Sequence, residues 1–253
     1  MDAIVLGPGD GEVVVDTPER SIVLKAGLDQ LTLSEFRYGP GMRGPVPHVH
    51  HRHVDGFYVL EGELQVLLGH DWKRVVAGPR TLVLIPPRVL HTFANDSNAH
   101  ARFLNIHAPD GGFLDVLHGD RSGFDNEDWP DDPGRPAADA TVASPTGGER
   151  LERDDRVVTI KGDAGDVSIL EIEFEPTFSV DPHEHADHVD AFWVLDGQVE
   201  FTVGDDVVLA GAGSFVAAPP AVRHGFATPG PGRATLLNLH APDAGFAASV
   251  RSQ

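Results

Sequence analysis

The sequence predicts an all-β chain built as two similar barrels in tandem, with few short helices. Helical periodicity is weak throughout, while strand-and-turn punctuation is dense, with 28 Gly and 20 Pro in 253 residues. Short strands between turn signals favour a sandwich or barrel over a parallel sheet wrapped in helices. The second observation is a repeat. Residues 45–62, PVPHVHHRHVDGFYVLEG, return at 180–197 as VDPHEHADHVDAFWVLDG. His48, His50, His53, Asp55 and Gly62 each have a counterpart 135 residues further on: His183, His185, His188, Asp190 and Gly197.

In chain order, β-branched runs alternate with Gly, Pro and Asp from Val13 to Tyr38, and GPGMRGPVP forms an entry loop before the first histidine cluster. The run FYVLEGELQVLL, 57–68, reads as two strands meeting in a tight hairpin at Glu61-Gly62. Leu64, Val66 and Leu68 share one face by the two-residue period. In TLVLIPPRVLHTFAN a strand ends at Pro86-Pro87 and His91 lies on the next one. ARFLNIH makes a further strand ending at the turn APDGG, and GFLDVLHG forms a short helix. The second half follows the same order. His224 stands 133 residues beyond His91, and His240 stands 133 beyond His107, within LLNLHAPDAGF. The drop from 135 to 133 places a net two-residue deletion between the motifs, at a hairpin tip. Alternation is cleanest in ILEIEFE, where Leu170, Ile172 and Phe174 oppose Glu171, Glu173 and Glu175. The acidic, Pro/Gly-rich stretch 119–148 is long for an internal loop and reads as a surface crossover. The expected division is therefore 1–118, a 119–148 linker, and 149–253.

Composition narrows the function classes. Asp and Glu outnumber Lys and Arg by 39 to 19, a formal charge of −20, and a field of that sign repels nucleic-acid phosphates and anionic membranes. Without cysteine there are no disulfides, thiolate nucleophiles or iron–sulfur ligands. MDAIVLGPGDGEVVVD lacks a basic n-region and its apolar run breaks at Gly7-Pro8, so no signal peptide is expected. No apolar stretch approaches the ~20 residues of a membrane helix, and a cytoplasmic address is expected.

The histidine pattern carries the chemistry. Residues i and i+2 of a strand point the same way, so His48 and His50 present two imidazoles on one face, and His91 joins them from a distant strand. Asp55 lies an odd number of residues beyond His50, so a turn intervenes and the carboxylate comes from a neighbouring strand. Three imidazoles and a carboxylate suit a divalent transition metal, Fe, Mn, Ni, Cu or Zn, one per barrel, with positions left open to substrate or water. A single H-x-H is commonly a surface pair or a backbone-bonded core histidine. Recurrence of the pair, the carboxylate and the distant histidine in register favours metal.

PHVHHRHVDGFYVLEGEL resembles the first motif of the cupin family, H-x-H, four residues, E, six residues, G. IPPRVLHTFAN resembles its second motif, P-x-x-x-x-H-x-x-x-N. The match covers both halves, so the chain resembles a bicupin of two double-stranded β-helix (jelly-roll) barrels. The resemblance implies metal ligands His48, His50, Asp55 and His91, and likewise His183, His185, Asp190 and His224. Asp55 and Asp190 occupy the family's glutamate position, one methylene shorter. His53 and His188, two residues earlier, are the alternative ligands, with the aspartate then orienting them. Arg80, Arg88 and Ala221 occupy motif-two Gly positions, and Thr228 replaces the residue matched by Asn95.

His107 and His240 recur within N-[IL]-H-A-P-D and read as structural, bonding across a seam or turn. His51, His70, His100 and His118 have no counterpart in the other half and read as exposed. Phe57, Phe93, Phe192 and Phe226 read as core residues, some lining an apolar pocket over the metal. The paired motifs and the APDGGF-like segments most resemble quercetin dioxygenase-type bicupins. This implies a metal-dependent oxidoreductase acting on a small organic or aromatic substrate, with Asp55 and Asp190 as ligands or general bases for a substrate hydroxyl. The alternatives are a non-catalytic small-molecule or metal-binding cupin and a cupin isomerase or other metalloenzyme. A small-molecule ligand, no nucleic acid, no membrane, and homodimerisation through sheet edges complete the expectation.

Overall fold

The computed structural model describes residues 2–132 and 134–252. The chain divides into two compact units, Glu12–Gly147 and Met1–Gly11 with Gly148–Gln253. In the first, a seven-stranded antiparallel sheet runs in the order Thr141–Ala143, Leu82–Ile85, Val54–Glu61, Ala101–Ala108, Leu31–Tyr38, Arg20–Leu28 and Glu12–Asp16. A five-stranded sheet runs Glu127–Asp128, His48–Val49, His91–Ala94, Leu64–Leu68 and Lys73–Ala77. Phe57 and Val59 of the larger sheet share one core with Leu64, Val66 and Phe93 of the smaller. This is a double-sheet jelly roll, each strand turning alternate side chains inward.

The second unit repeats it. Its seven-stranded sheet runs Ile4–Leu6, Phe215–Ala218, Val189–Asp196, Ala234–Ala241, Ser168–Phe174, Arg156–Asp163 and Glu149–Glu152. Its four-stranded sheet runs Ser179–His183, His224–Ala227, Gln198–Val203 and Asp206–Gly211. The helices found among the described residues are short, Phe113–Leu117 and Phe246–Ser252. No helix among them is long and apolar enough to cross a membrane.

The unit boundaries run differently from the expected 1–118, 119–148 and 149–253. Each large sheet has a short strand paired on its far edge. Thr141–Ala143, from the expected linker, pairs with Leu82–Ile85, and Ile4–Leu6 pairs with Phe215–Ala218 of the second unit. Both cover backbone N–H and C=O groups that an edge would leave open. Short pairing segments carry too few residues to show a period of their own.

The expected hairpin at Glu61-Gly62 is a correction. Glu61 pairs with Arg102 in the large sheet, whereas Leu64 pairs with Ala77 in the small one. The chain turns a corner between sheets. A two-residue type I′ hairpin needs positive φ at both central residues, and of Glu61 and Gly62 only Gly62, with φ 71°, has it. An added Cβ at Gly62 would lie 2.2 Å from the His100 carbonyl, and one at the equivalent Gly197, φ 76°, 2.3 Å from that of Arg233. The true hairpins are Leu64–Leu68 with Lys73–Ala77 and Gln198–Val203 with Asp206–Gly211. The second has two fewer loop residues than the first, which is the expected deletion at a hairpin tip.

The motif-two departures also find their meaning. Arg80, Arg88 and Ala221 all have positive φ (63°, 68° and 64°), so the backbone keeps a conformation that glycine would adopt without strain. Asn95 is fully buried, and its amide donates to the carbonyls of Tyr38, Gly39 and Ala99. Thr228 replaces it with weaker hydroxyl contacts to Glu175 and Phe178. Glu171 departs from a solvent-facing alternation. It is buried and lies 3.4 Å from Lys161.

Gly62→Ala and Gly197→Ala are each expected to cost about 3 kcal/mol or more, adding a backbone collision to the left-handed strain. Gly204→Ala, at φ 60° with nothing within 4 Å of its Cβ, is expected to cost about 1 kcal/mol. Denaturant midpoints of the three variants measure the difference.

Candidate metal centre

In the first unit, strand pairing sets His48 directly opposite His91 in the small sheet, and His50 follows two residues on. Asp55 comes from the large sheet, where it pairs with His107 and Ile85. It arrives from the facing sheet, not from a strand beside the histidines. One ligand atom from each of His48, His50, Asp55 and His91 lies within 4.8 Å of all the others, and all four residues are buried.

The orientation of the rings is imposed from behind. The Nδ1–H groups of His48, His91 and His50 donate to the carbonyls of Val46, Val89 and Asp125, at 2.9, 2.9 and 2.8 Å. Each imidazole therefore turns an Nε2 lone pair inward. His50 Nε2 is buried without a partner. His91 Nε2 lies 3.2 Å from Asp55 Oδ2, an oxygen that only accepts, so a proton or a metal ion belongs between them. The Asn105 amide donates to Asp55 Oδ1 at 2.6 Å, leaving Oδ2 toward the histidines. Burial would raise the Asp55 pKa, but His107 and His91 outweigh it and hold the carboxyl below its ordinary value. Burial pushes His48 down to about 3 and His50 well below its ordinary 6.5, with His91 adding to both. Neutral imidazoles, an ionised carboxylate and an orphaned inward nitrogen fit a divalent metal ion.

Behind this set lies a second layer. His53 Nδ1 is 3.0 Å from Asp125 Oδ2, and His53 Nε2 is 3.0 Å from His107 Nδ1. His107 Nε2 lies 3.2 Å from Asn105 Oδ1 and 3.6 Å from Asp55 Oδ1. His107 thus backs the buried carboxylate and belongs to the site's support, where the sequence suggested a seam or turn. Phe113 stacks on it at 3.7 Å. Asp110 sets that stack by accepting from the backbone of Gly112 and Leu114 at the start of the short helix. The APDGGF-like segment therefore works as a unit: a helix-capping aspartate places a phenyl ring on the histidine.

The second unit reproduces the four-residue set in His183, His185, Asp190 and His224, with His183 opposite His224. Asn238 donates to Asp190 Oδ1 at 2.6 Å, and Phe246 stacks on His240 at 3.5 Å. Burial tends to lower His224, but its contact with Asp190 wins and raises it. Burial takes His240 down to about 4. The surroundings differ, however. His183 and His185 are only half-buried, and His188 Nδ1 meets the exposed Asp187 where His53 meets the buried Asp125. His185 Nε2, His188 Nε2 and His240 Nδ1 are buried without partners.

Cupin domain models match residues 34–107 and 170–240, one in each unit and together more than half of the chain. The chain belongs to the cupin family. No curated protein matches it. Among solved structures, this bicupin is similar to a glyoxylate-induced protein of Pseudomonas aeruginosa, with TM-score 0.70 and 18% identity over 94% of this chain and 88% of that one. It is similar to the oxalate decarboxylase of Lactobacillus farciminis, with TM-score 0.66 and 13% identity over 94% and 86%. It is also similar to the salicylate 1,2-dioxygenase of Pseudoaminobacter salicylatoxidans, with TM-score 0.65 and 16% identity over 87% and 73%. At these identities the likeness concerns the fold.

Of the histidines and aspartates singled out by sequence, the cupin structure gathers eight into two four-residue sets. His53 and His188 fall into neighbouring groups instead, His50–His53–His107 and His185–His188–His240. His51, His70, His100 and His118 are exposed, as expected. Phe57 is core, and Phe93, Phe192 and Phe226 line the cavities above the sets. Asn105, Asn238 and Asp125 were not singled out. The asparagines were visible inside the repeated N-[IL]-H-A-P-D, but Asp125 lies in the stretch read as a passive crossover.

Asp125 also accepts from the backbone N–H of His51 and Arg52. Asp125→Ala is expected to lower metal affinity of the first unit roughly 10–100-fold and to leave the second unchanged, by competition with a chromophoric chelator. Folded-state pKa values below 6.5 at His48, His50, His53 and His107 mean that unfolding takes up protons. Stability of the metal-free first unit is therefore full above 6.5 and is lost as pH falls below it. In the second unit the raised His224 opposes the lowered His240. Melting of chelator-treated protein between pH 7.5 and pH 5 is expected to show the first unit as the more acid-labile.

Proposed function

We propose that this bicupin is a metal-dependent oxidoreductase acting on a small organic or aromatic molecule. His48, His50, Asp55 and His91 hold a divalent transition metal in the first unit, and His183, His185, Asp190 and His224 hold one in the second. The observation that carries the reading is the convergence of three imidazoles, each with Nδ1–H committed to a carbonyl, on one ionised carboxylate at a cavity wall. The cavity of about 470 Å3 in the first unit and that of about 370 Å3 in the second each open onto a ligand set, a size and apolar character suited to a small organic ligand. A divalent ion there acts as a Lewis acid toward a substrate oxygen and, if redox-active, supports oxidation. A solved neighbour named as a dioxygenase supports an oxygen-dependent reaction on the same scaffold.

The protein's own part is positional. Asn105 holds one oxygen of Asp55 and leaves the other toward the reaction centre, so Asp55 is a ligand or accepts the proton of a substrate hydroxyl. Phe93 and Phe36 flank the cavity and exclude water from the apolar face of a bound ring. Asp190 and Asn238 repeat the arrangement in the half-buried second set.

Purified protein grown with added metal is expected to carry up to two divalent ions per chain. His48→Ala with His50→Ala is expected to empty the first set and leave the second filled. Oxygen uptake is then measured with flavonols and dihydroxy-aromatics. Uptake by the wild type that falls to background in the double variant supports the reading. Metal without uptake across the panel favours a non-catalytic binder, and absence of metal overturns the site itself.

A further inference from the structure

The chain carries a formal charge of −20, yet the cavity of the first unit is lined by three arginines, Arg20, Arg43 and Arg121, against a single carboxylate, Asp55. Arg20 is engaged with the Tyr38 hydroxyl, and Arg43 stands 3.6 Å from Asp96. Arg121 differs. Among the described residues no oxygen accepts from its guanidinium, which instead sits 5.8 Å over the ring of Phe124. Phe124 in turn lies 5.3 Å from His50 and 5.9 Å from His53, ring to ring. Arg121, Phe124, His48 and His50 all line this one cavity. A planar fork of five donors with no acceptor, held on an aromatic ring beside a cavity, is matched by a carboxylate.

We propose that the first unit binds a carboxylate with an apolar, ring-sized body, its carboxylate gripped by Arg121 and its body lying against the phenyl walls. The proposal rests on the reading of this cavity as the substrate site. Size follows from the walls: Ile22, Phe36, Phe93 and Phe113 line a cavity of about 470 Å3, and a two-carbon diacid would leave most of that apolar surface wet. The specificity belongs to the first unit alone. In the cavity of the second, Arg153 donates to the carbonyls of Glu152 and Val250 and Arg156 pairs with Asp155 at 2.9 Å. The segment that brings Arg121 and Phe124 to the first cavity runs on from its own short helix.

The test uses the full chain as purified and titrates benzoate and benzyl alcohol by calorimetry into the wild type, Arg121→Gln and Arg121→Lys, with metal content measured on each sample. One benzoate per chain is expected, weakened roughly tenfold in Arg121→Gln and less in Arg121→Lys, with benzyl alcohol binding and metal content unchanged. Benzoate binding no tighter than benzyl alcohol in the wild type, or equal benzoate affinity in wild type and Arg121→Gln, overturns the proposal. Arg121-dependent benzoate binding in samples devoid of metal would leave the anion grip standing and remove the metal reading. Metal retained with benzoate indifferent to Arg121 would do the reverse.

Discussion

A carboxylate buried among imidazole lone pairs is the constraint on which both units turn. Removing an ionised carboxyl from water costs several kcal/mol unless charge or hydrogen bonds replace the lost hydration. At Asp55 the Asn105 amide satisfies one oxygen, and the other faces the inward Nε2 of His91, where a proton or a metal ion has to lie. The imidazoles cannot rotate away to relieve this, because each is fastened by Nδ1 to a backbone carbonyl. The fold thus holds a donor set whose remaining need is a cation, an instance of preorganisation achieved by ordinary backbone hydrogen bonds.

The two units meet this constraint with different surroundings. In the first, the segment after the short helix returns over the site and brings three groups: the Asp125 carbonyl for His50, the Asp125 carboxylate for His53, and the Phe124 ring that packs on both. In the second the pair of histidines is half-buried and His188 finds only an exposed aspartate. Equal four-residue sets therefore sit in unequal dielectric and solvent access. Such surroundings tune a site even where the residues that could hold a metal are the same.

Much of the site was legible because its signals are local. The H-x-H pair with its aspartate and the Pro-Pro to His segment each lie within one stretch of chain, and repetition in register multiplied their weight. Phe93 and Phe226 were legible in the same way, two residues beyond His91 and His224 on a strand. The misreadings share a cause. Glu61-Gly62 carries a turn residue, but whether a turn joins paired strands or passes the chain between sheets depends on partners far along the chain, Arg102 for Glu61 in one sheet and His91 for Leu68 in the other. His107 looked structural because nothing nearby in sequence shows that its neighbours are Asp55 and His53.

Residue order by itself determined the all-β class, the duplication, the two sets of three histidines and one aspartate, and even the hairpin tip where the halves differ in length. These follow from periods and spacings that act over a few residues. Only the tertiary structure decided that His53 meets Asp125 and His107, that Asn105 and Asn238 hold the aspartates, and that a stretch resembling a passive crossover supplies Asp125, Phe124 and Arg121. Those roles arise from contacts between residues 48 to 75 positions apart, and those of the crossover are held by the pairing of Glu127–Asp128 with the strand that carries His48. No local pattern can encode such a contact, because its energy exists only once both partners have been folded into place.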